Sequence, residues 1–236
     1  MDHKQSSSEQ KTSQSVGSSN RSWMQIDQER KTRNFKELNK SAKKGNILFT
    51  GASLMEHFPI CEMAASAGID KVIYNRGIGG TTTDDFLREI DTVLLDLEPS
   101  KVFINIGTND MTGRVYGDRW IDHLFENYEA ILRKAVERLP GTKIYMMAYY
   151  PANLHHPSIN EELRANIKER TPENIAECNR RVAALAAKLN LNFVDANEGL
   201  ADENGEQKLE FCVDGVHMYA NAYEVVFNNI RRYIEE

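Results

Sequence analysis

From residue 46 onward, short apolar runs alternate with longer amphipathic stretches, and this alternation restricts the possible folds more than any other feature of the chain. The short runs lie at 46–50, 71–75, 101–106, 143–149 and 192–194, and we predict a strand at each. Their apolar residues run on rather than alternating with polar ones, so we expect these strands to be covered on both faces. Helical patterns fill the intervals at about 54–67, 83–96, 119–139, 172–189 and 218–235.

Five rounds of strand and helix favour parallel strands that are joined by right-handed crossovers. We therefore predict an α/β fold with three α/β/α layers, a flavodoxin-like, doubly wound sheet of about five parallel strands. In such sheets the loops that follow the strands gather at one edge, where residues far apart in sequence share one cleft. The longest insertion, 151–173, follows a predicted strand end, and we expect it to form part of a substrate wall or a lid.

The residues before the first strand have a different character. Residues 1–20 are rich in Ser, Gln and Lys, with almost nothing apolar to bury, and predict a disordered polar tail. Scattered apolar residues within 21–44 predict a helix that packs on the body: Trp23, Met24, Ile26, Phe35 and Leu38. Residues 45–236 then form the main domain.

Charge and cysteine content exclude several classes of function. A net charge of −6 gives no support for a nucleic-acid partner, and the basic residues within 30–44 are best interpreted as a solvated helix face. The three cysteines (Cys61, Cys178 and Cys212) form no CxxC pair, so we expect neither a zinc site nor a disulfide framework. We expect Cys61 and Cys178 to be small core residues. We also expect that the protein needs no cofactor and has no membrane span. Its expected location is the cytoplasm, or outside the cell if a signal precedes this sequence.

Two short segments supply the parts of a Ser-His-Asp triad. Residues 50–54 (Thr-Gly-Ala-Ser-Leu) follow the first predicted strand and place Ser53 in a turn before a helix. Residues 214–217 (Asp-Gly-Val-His) precede the last helix, and one turn brings the Asp214 carboxylate to the Nδ1 side of His217. That arrangement leaves Nε2 of His217 free to face a hydroxyl.

Two glycine-bearing segments lie between these blocks and could complete a site for acyl transfer. Residues 75–82 lack the Lys-Ser/Thr ending of a nucleotide loop, and their glycines, Gly80 among them, allow a backbone N–H to approach a reacting carbonyl. Asn109 follows a predicted strand and can aim its amide into the same cleft, whereas we expect Asp110 to fix the turn. Taken singly, each residue is more often a cap or turn residue. Their order along the chain favours the catalytic interpretation.

The four blocks together resemble the SGNH hydrolase superfamily, also called GDSL esterases and lipases. Residues 51–54 resemble the nucleophile block, 75–82 the glycine block, 107–110 the Gly-x-Asn-Asp block and 214–217 the Asp-x-x-His block. The resemblance covers the chain from about residue 46 to the C-terminus. The form of the second block is most similar to the platelet-activating-factor acetylhydrolase-like branch.

The resemblance implies a serine esterase acting on short-chain, acetyl-type esters. Ser53 would be the nucleophile, His217 the general base and Asp214 its orienting partner. The N–H groups of Ser53 and Gly80 and the side chain of Asn109 would form the oxyanion hole. The alternatives are a carbohydrate O-acetylesterase, a lysophospholipase, or a binding module with a decayed site. This chain has Ala52 where the family's motif carries an Asp. In the family, that Asp supports the nucleophile loop by hydrogen bonding.

Overall fold

A five-stranded parallel sheet forms the centre of the molecule, as the computed structural model of residues 22–236 shows. The strand order is β2-β1-β3-β4-β5, and every neighbouring pair is parallel. The strands are β1 (Ile47–Gly51), β2 (Ile73–Asn75), β3 (Lys101–Asn105), β4 (Lys143–Met147) and β5 (Asn192–Val194). The predicted α/β fold with about five parallel strands is confirmed. The predicted tail at 1–20 lies outside the described residues.

Ten α-helices surround the sheet in the part of the chain that the structure describes. They are α1 (Trp23–Asn39), α2 (Ser53–Glu56), α3 (Ile60–Ser66), α4 (Thr83–Arg88), α5 (Ile90–Val93), α6 (Gly113–Tyr116), α7 (Trp120–Arg138), α8 (Glu161–Ile167), α9 (Pro172–Lys188) and α10 (Ala220–Glu235). None of the helices in this part is long and apolar enough to cross a membrane.

Side chains that alternate along the strands divide the core into two halves. Leu48 and Ile104 face one side of the sheet, where they belong to a core shared with α4, α5, α7 and α9. Phe49 and Phe103 face the other side and stack with a ring-centroid distance of 4.6 Å, within a core shared with α2, α3 and α10. Because both faces are covered, the strands carry apolar residues at successive positions. This explains the continuous apolar runs in the sequence.

The structure divides two of the predicted helices and shortens three predicted strands, 71–75, 101–106 and 143–149, which form as 73–75, 101–105 and 143–147. The segment 54–67 separates into α2 and α3, because Pro59 lies between them and interrupts the backbone hydrogen bonding. The segment 83–96 separates into α4 and α5 at Glu89, whose φ and ψ of −106° and 16° are not helical. The predicted strand at 143–149 ends at Met147, and the Tyr149 N–H instead donates to the Asn179 side chain at 2.7 Å.

One expected core residue lies at the surface. Cys178 is fully buried as expected, but Cys61 is exposed, so its assignment to the core was wrong. Cys61 occupies the second position of α3, where the helix turns it outward, and its thiol donates to the Ile73 carbonyl at 3.3 Å. A helical apolar pattern of only about two turns does not specify which residues point inward.

The N-terminal helix α1 packs against the body through its last turns. Asn39 is buried, and its side-chain amide donates to the Thr92 carbonyl at 2.8 Å. The buried guanidinium of Arg76 donates to the Asn39 side-chain oxygen at 3.0 Å and lies 4.8 Å from the centre of the Phe35 ring. These contacts anchor the C-terminal half of α1 beside β2. The N-terminal half of the helix lies toward the edge where the loops gather.

Candidate active site

The turn between β1 and α2 places Ser53 at the edge of the sheet. A side chain on Gly51 would put its Cβ 1.9 Å from the Asn105 carbonyl oxygen, so only glycine fits there. Gly51 also has a φ of +146°, within the range that favours glycine. The chain can therefore pass close to β3 and turn sharply into α2. Ser53 is the first residue of that helix, and its N–H has no acceptor within it.

The side chain of Ala52 cannot form a hydrogen bond, and other residues hold this turn through their backbone and side-chain groups. Ala52 is buried, with 3% of its surface exposed, and caps α2 without a side-chain hydrogen bond. The carbonyls of residues 51, 54 and 55 accept hydrogen bonds from Ile78 N–H (3.0 Å), Tyr223 Oη (2.9 Å) and Asn75 Nδ2 (2.6 Å). The support that the family motif assigns to an Asp is thus spread over three other residues.

A line of hydrogen bonds joins Ser53, His217 and Asp214. The Ser53 Oγ lies 2.9 Å from the His217 Nε2, and the His217 Nδ1 lies 2.7 Å from an Asp214 carboxylate oxygen. Residues that are 164 positions apart meet here because the loop carrying 214–217 lies at the same sheet edge as the β1–α2 turn. An antiparallel bridge between Cys212 and Met218 closes that loop.

The Asp214 carboxylate is stabilised in its ionised form. Burial raises the pKa of this carboxyl, but hydrogen bonds from the His217 ring and from the N–H groups of His217 and Val216 outweigh burial and hold the pKa well below its usual range. The two backbone bonds measure 2.9 and 3.0 Å. Asp214 is therefore a carboxylate at neutral pH and can accept from an Nδ1–H. This fixes the His217 tautomer that leaves Nε2 able to take a proton.

The glycine loop lies beside Ser53. A Cβ on Gly79 would be 3.7 Å from the Ser53 Cβ, and a Cβ on Gly77 would collide with the backbone of Glu56 at 2.3 Å. Gly80 has a φ of +72°, a left-handed conformation that favours glycine. The absence of side chains lets the loop lie directly against α2 and keeps its backbone beside the serine.

Asn109 lies against the same loop from the other side. Its Nδ2 donates to the Thr81 carbonyl at 3.0 Å, and its Oδ1 accepts from the Arg170 guanidinium at 3.4 Å. The amide therefore has a fixed orientation, because a rotation by 180° would place nitrogen against the guanidinium. Since a side-chain amide has two N–H groups, one remains beyond the bond to Thr81.

The structure thus brings all five predicted site residues to one edge of the sheet: Ser53, Gly80, Asn109, Asp214 and His217. Asp110, the residue that follows Asn109, is fully buried, and its carboxylate accepts from the Thr83 N–H at 3.1 and 3.0 Å and from the Thr83 hydroxyl. Asp110 therefore ties the loop after β3 to the start of α4, in agreement with the predicted turn-fixing role. Within residues 22–236, no cluster of His, Cys, Asp or Glu is arranged to hold a metal ion.

The insertion at 151–173 packs beneath the loop that carries Asp214. The Asn153 N–H donates to the Gly215 carbonyl at 2.8 Å, and a Cβ on Gly215 would lie 2.8 Å from Ile159. The insertion contains α8 and ends close to Arg170, which is only 7% exposed. It therefore supports the loop that carries Asp214 and brings Arg170 to Asn109.

Sequence reasoning missed four residues that shape the site. Arg170 contacts Asn109, Gln28 and Glu56 contact the glycine loop, and the rings of His57 and His217 lie 5.3 Å apart. Partial burial lowers the pKa of His57, and the neighbouring His217 lowers it further. Only His57 and Glu56 could have been found from the sequence, since they follow Ser53 by four and three positions. Gln28 and Arg170 are brought in by packing.

Comparison with known proteins shows the family of the chain. The sequence model of the GDSL-like lipase/acylhydrolase family matches residues 60–225. The chain belongs to this family, and it is a carboxylic ester hydrolase.

Three individual proteins are similar to this chain. The bovine (Bos taurus) platelet-activating factor acetylhydrolase IB subunit alpha1 is 25% identical over 190 residues, which are 78% of this chain and 72% of the relative. A Streptococcus pneumonia protein, provisionally described as a platelet activating factor, has a solved structure with a TM-score of 0.77 and 30% identity over 90% of this chain and 94% of its own. A GDSL-like lipase from Bacteroides thetaiotaomicron has a TM-score of 0.70 and 22% identity over 86% of this chain and 97% of its own.

Proposed function

We propose that this chain is a serine esterase that removes short, acetyl-type acyl groups through an acyl-enzyme intermediate. The single observation that carries the proposal is the position of the His217 ring, which bridges Ser53 at 2.9 Å and Asp214 at 2.7 Å. A hydroxyl, an imidazole and a carboxylate in line are the groups that activate a serine nucleophile. No cofactor has a part in this scheme.

In the first step the Ser53 Oγ attacks the ester carbonyl carbon. The Oγ proton passes to the His217 Nε2, and the electron pair of the C=O bond moves onto the carbonyl oxygen. The imidazolium that forms is stabilised by the ionised Asp214. The low pKa of Asp214 matters here, since a protonated carboxyl would offer no charge to the imidazolium.

The oxyanion would be bound by the N–H groups of Ser53 and Gly80 and by the second N–H of Asn109. Support comes from the glycine loop lying against α2 and from the fixed orientation of the Asn109 amide. Groups already oriented before the reaction need no reorganisation as charge develops. The intermediate then collapses: the C–O bond to the alcohol breaks, and the leaving alkoxide takes the proton from His217.

Water completes the cycle by hydrolysing the acyl-enzyme. His217 takes a proton from water, the hydroxide attacks the acyl carbonyl, and the Ser53 Oγ leaves with the proton from the imidazolium. The acetyl-type acyl group is supported by the name of the bovine relative, an acetylhydrolase that shares 25% identity over 78% of this chain. A series of p-nitrophenyl esters from acetate to octanoate measures the acyl preference, with acetate expected to give the highest kcat/KM.

Single substitutions in the triad test the proposal. Ser53→Ala and His217→Ala should lower kcat for p-nitrophenyl acetate by at least about 1000-fold, because each removes a group that takes part in bond formation. Ser66→Ala, on the exposed end of α3, and His155→Ala, an exposed histidine, are matched controls that should retain wild-type turnover. Wild-type turnover in either triad variant of folded protein would refute the mechanism.

A further inference from the structure

Both backbone groups of Gly79 are bound by side chains from outside the glycine loop. Its carbonyl accepts from the Gln28 Nε2 at 3.0 Å, and its N–H donates to a Glu56 carboxylate oxygen at 2.5 Å. The other Glu56 oxygen lies 2.6 Å from the Lys31 Nζ. Gln28 and Lys31 are three residues apart on α1 and so lie on one face of that helix. One face of α1 therefore contacts Gly79 directly through Gln28 and indirectly through Lys31 and Glu56.

The bond to the Gly79 carbonyl also orients the neighbouring N–H. The Gly79 carbonyl and the Gly80 N–H belong to one peptide unit, which is trans, so the two groups point in opposite directions. Since the carbonyl points toward Gln28, the Gly80 N–H points away from α1. This N–H is the one proposed to bind the oxyanion.

We propose that Gln28, assisted by Lys31 through Glu56, is a positioning residue that orients the Gly79–Gly80 peptide for oxyanion binding. This inference rests on the proposed function, since it assigns a task to a part of that oxyanion hole. The N-terminal helix is then a component of the active site rather than an appendage of the main domain.

An external anchor is needed because two successive glycines do not hold their own peptide in place. Glycine occupies positive and negative φ with similar ease, so rotation of the Gly79–Gly80 peptide meets little steric resistance. A rotated peptide would present its carbonyl oxygen to the site and repel the oxyanion. The amide of Gln28 opposes this rotation, since it donates only to the carbonyl in its observed direction.

Removal of the Gln28 amide should leave α1 in place. The helix is anchored at its other end by the buried Asn39, which bonds to the Thr92 carbonyl and to Arg76. It also touches the loop directly, since a Cβ on Gly80 would lie 2.7 Å from the Met24 sulfur. Gln28 itself is half-buried. A variant that keeps the volume of Gln28 should therefore fold as the wild type does.

Gln28→Met tests the inference, with Lys36→Met as the matched control. Lys36 lies on α1 and pairs with Glu89 at 3.1 Å, away from the glycine loop. We expect Gln28→Met to lower kcat for p-nitrophenyl acetate roughly tenfold, the size of one hydrogen bond, with KM and Tm unchanged. Gln28→Glu should lose at least as much, because a carboxylate cannot donate to a carbonyl. Lys36→Met should behave as the wild type.

A second readout separates orientation from a general structural effect. An aryl trifluoromethyl ketone forms a hemiketal oxyanion with a catalytic serine, so its Ki reports on the oxyanion hole. For Gln28→Met the Ki should rise by the same factor by which kcat/KM falls. Equal kcat and Ki in Gln28→Met and wild type would overturn the inference, as would a loss that only follows a lower Tm.

Ser53→Ala, measured in the same series, keeps the two proposals apart. If Ser53→Ala is inactive while Gln28→Met retains full activity, the role of Gln28 is wrong and the esterase mechanism stands. If Ser53→Ala keeps wild-type activity, the proposed function fails and the inference that rests on it fails too.

Discussion

At the scale of single residues, the guanidinium of Arg170 is buried beside Asn109. Burial lowers the pKa of Arg170 to about 10, although the nearby carboxylates of Asp214 and Asp110 act in the opposite direction. It is therefore charged at neutral pH. Among the described residues its Nε has no hydrogen-bond partner, while its Nη2 contacts the Asn109 Oδ1. A buried charge in contact with Asn109, the proposed oxyanion donor, is well placed to orient its amide.

Arg170→Met should lower kcat for p-nitrophenyl acetate about tenfold, because the Asn109 amide loses the contact that fixes its orientation. Asn109→Ala alone should cost about 100- to 1000-fold, the usual value of one oxyanion donor. Since Arg170 acts through Asn109, adding Arg170→Met to Asn109→Ala should cause little further loss. The kcat values of the two single variants and the double variant measure this coupling.

Arg164→Met is the control for that experiment, since Arg164 is an exposed arginine on α8 that bonds the Leu154 carbonyl at 3.1 Å. It should leave kcat unchanged. If Arg170→Met costs the same factor with and without Asn109, the two residues act independently and the positioning role is wrong.

At the scale of elements, Asp110 joins the loop after β3 to the N-terminus of α4 and makes this junction sensitive to pH. Burial raises the pKa of Asp110 from 3.8 to about 6, against the hydrogen bonds from Thr83. Between these two values the folded protein binds more protons at this group than the unfolded chain does. The contribution of Asp110 to stability therefore falls as the pH rises through this window.

Asp110→Asn removes this titration. The Tm of the wild type relative to the variant should fall by roughly 5–10 °C between pH 4 and pH 7, because the part of this shift that develops in that window corresponds to about 2 kcal/mol. An effect of the substitution that is the same at every pH cancels, because the Tm difference between the wild type and the variant is compared at the two pH values. Asp91→Asn, on the exposed face of α5, serves as the control. A difference in Tm that does not vary with pH would contradict the raised pKa.

Secondary structure was predictable from the sequence where an element is long, and less so where tertiary contacts set its ends. The helix predicted at 172–189 forms as α9 (Pro172–Lys188), with its first turn capped by the Thr171 side chain. The helix predicted at 54–67 instead forms as two. The apolar pattern continued through the break at Pro59 because both short helices bury residues in the same core.

At the scale of the whole molecule, the parallel sheet explains why motif residues were predictable and supporting residues were not. Ser53 and Asn109 follow strands that are neighbours in the sheet, β1 and β3, so their loops must meet at one edge. Gln28 belongs to α1 and Arg170 to the insertion at 151–173, and the pairing of the strands does not fix the position of either segment. Their positions follow from packing, which the spacing of residues along the chain does not encode.

Covalent labelling with a fluorophosphonate probe, followed by mass spectrometry of the peptides, tests the central claim that Ser53 is the nucleophile activated by His217 and Asp214. The account predicts one adduct, on Ser53, which is absent from Ser53→Ala and forms much more slowly in His217→Ala. An adduct on a different residue, or continued ester hydrolysis by protein with no adduct on Ser53, would contradict it.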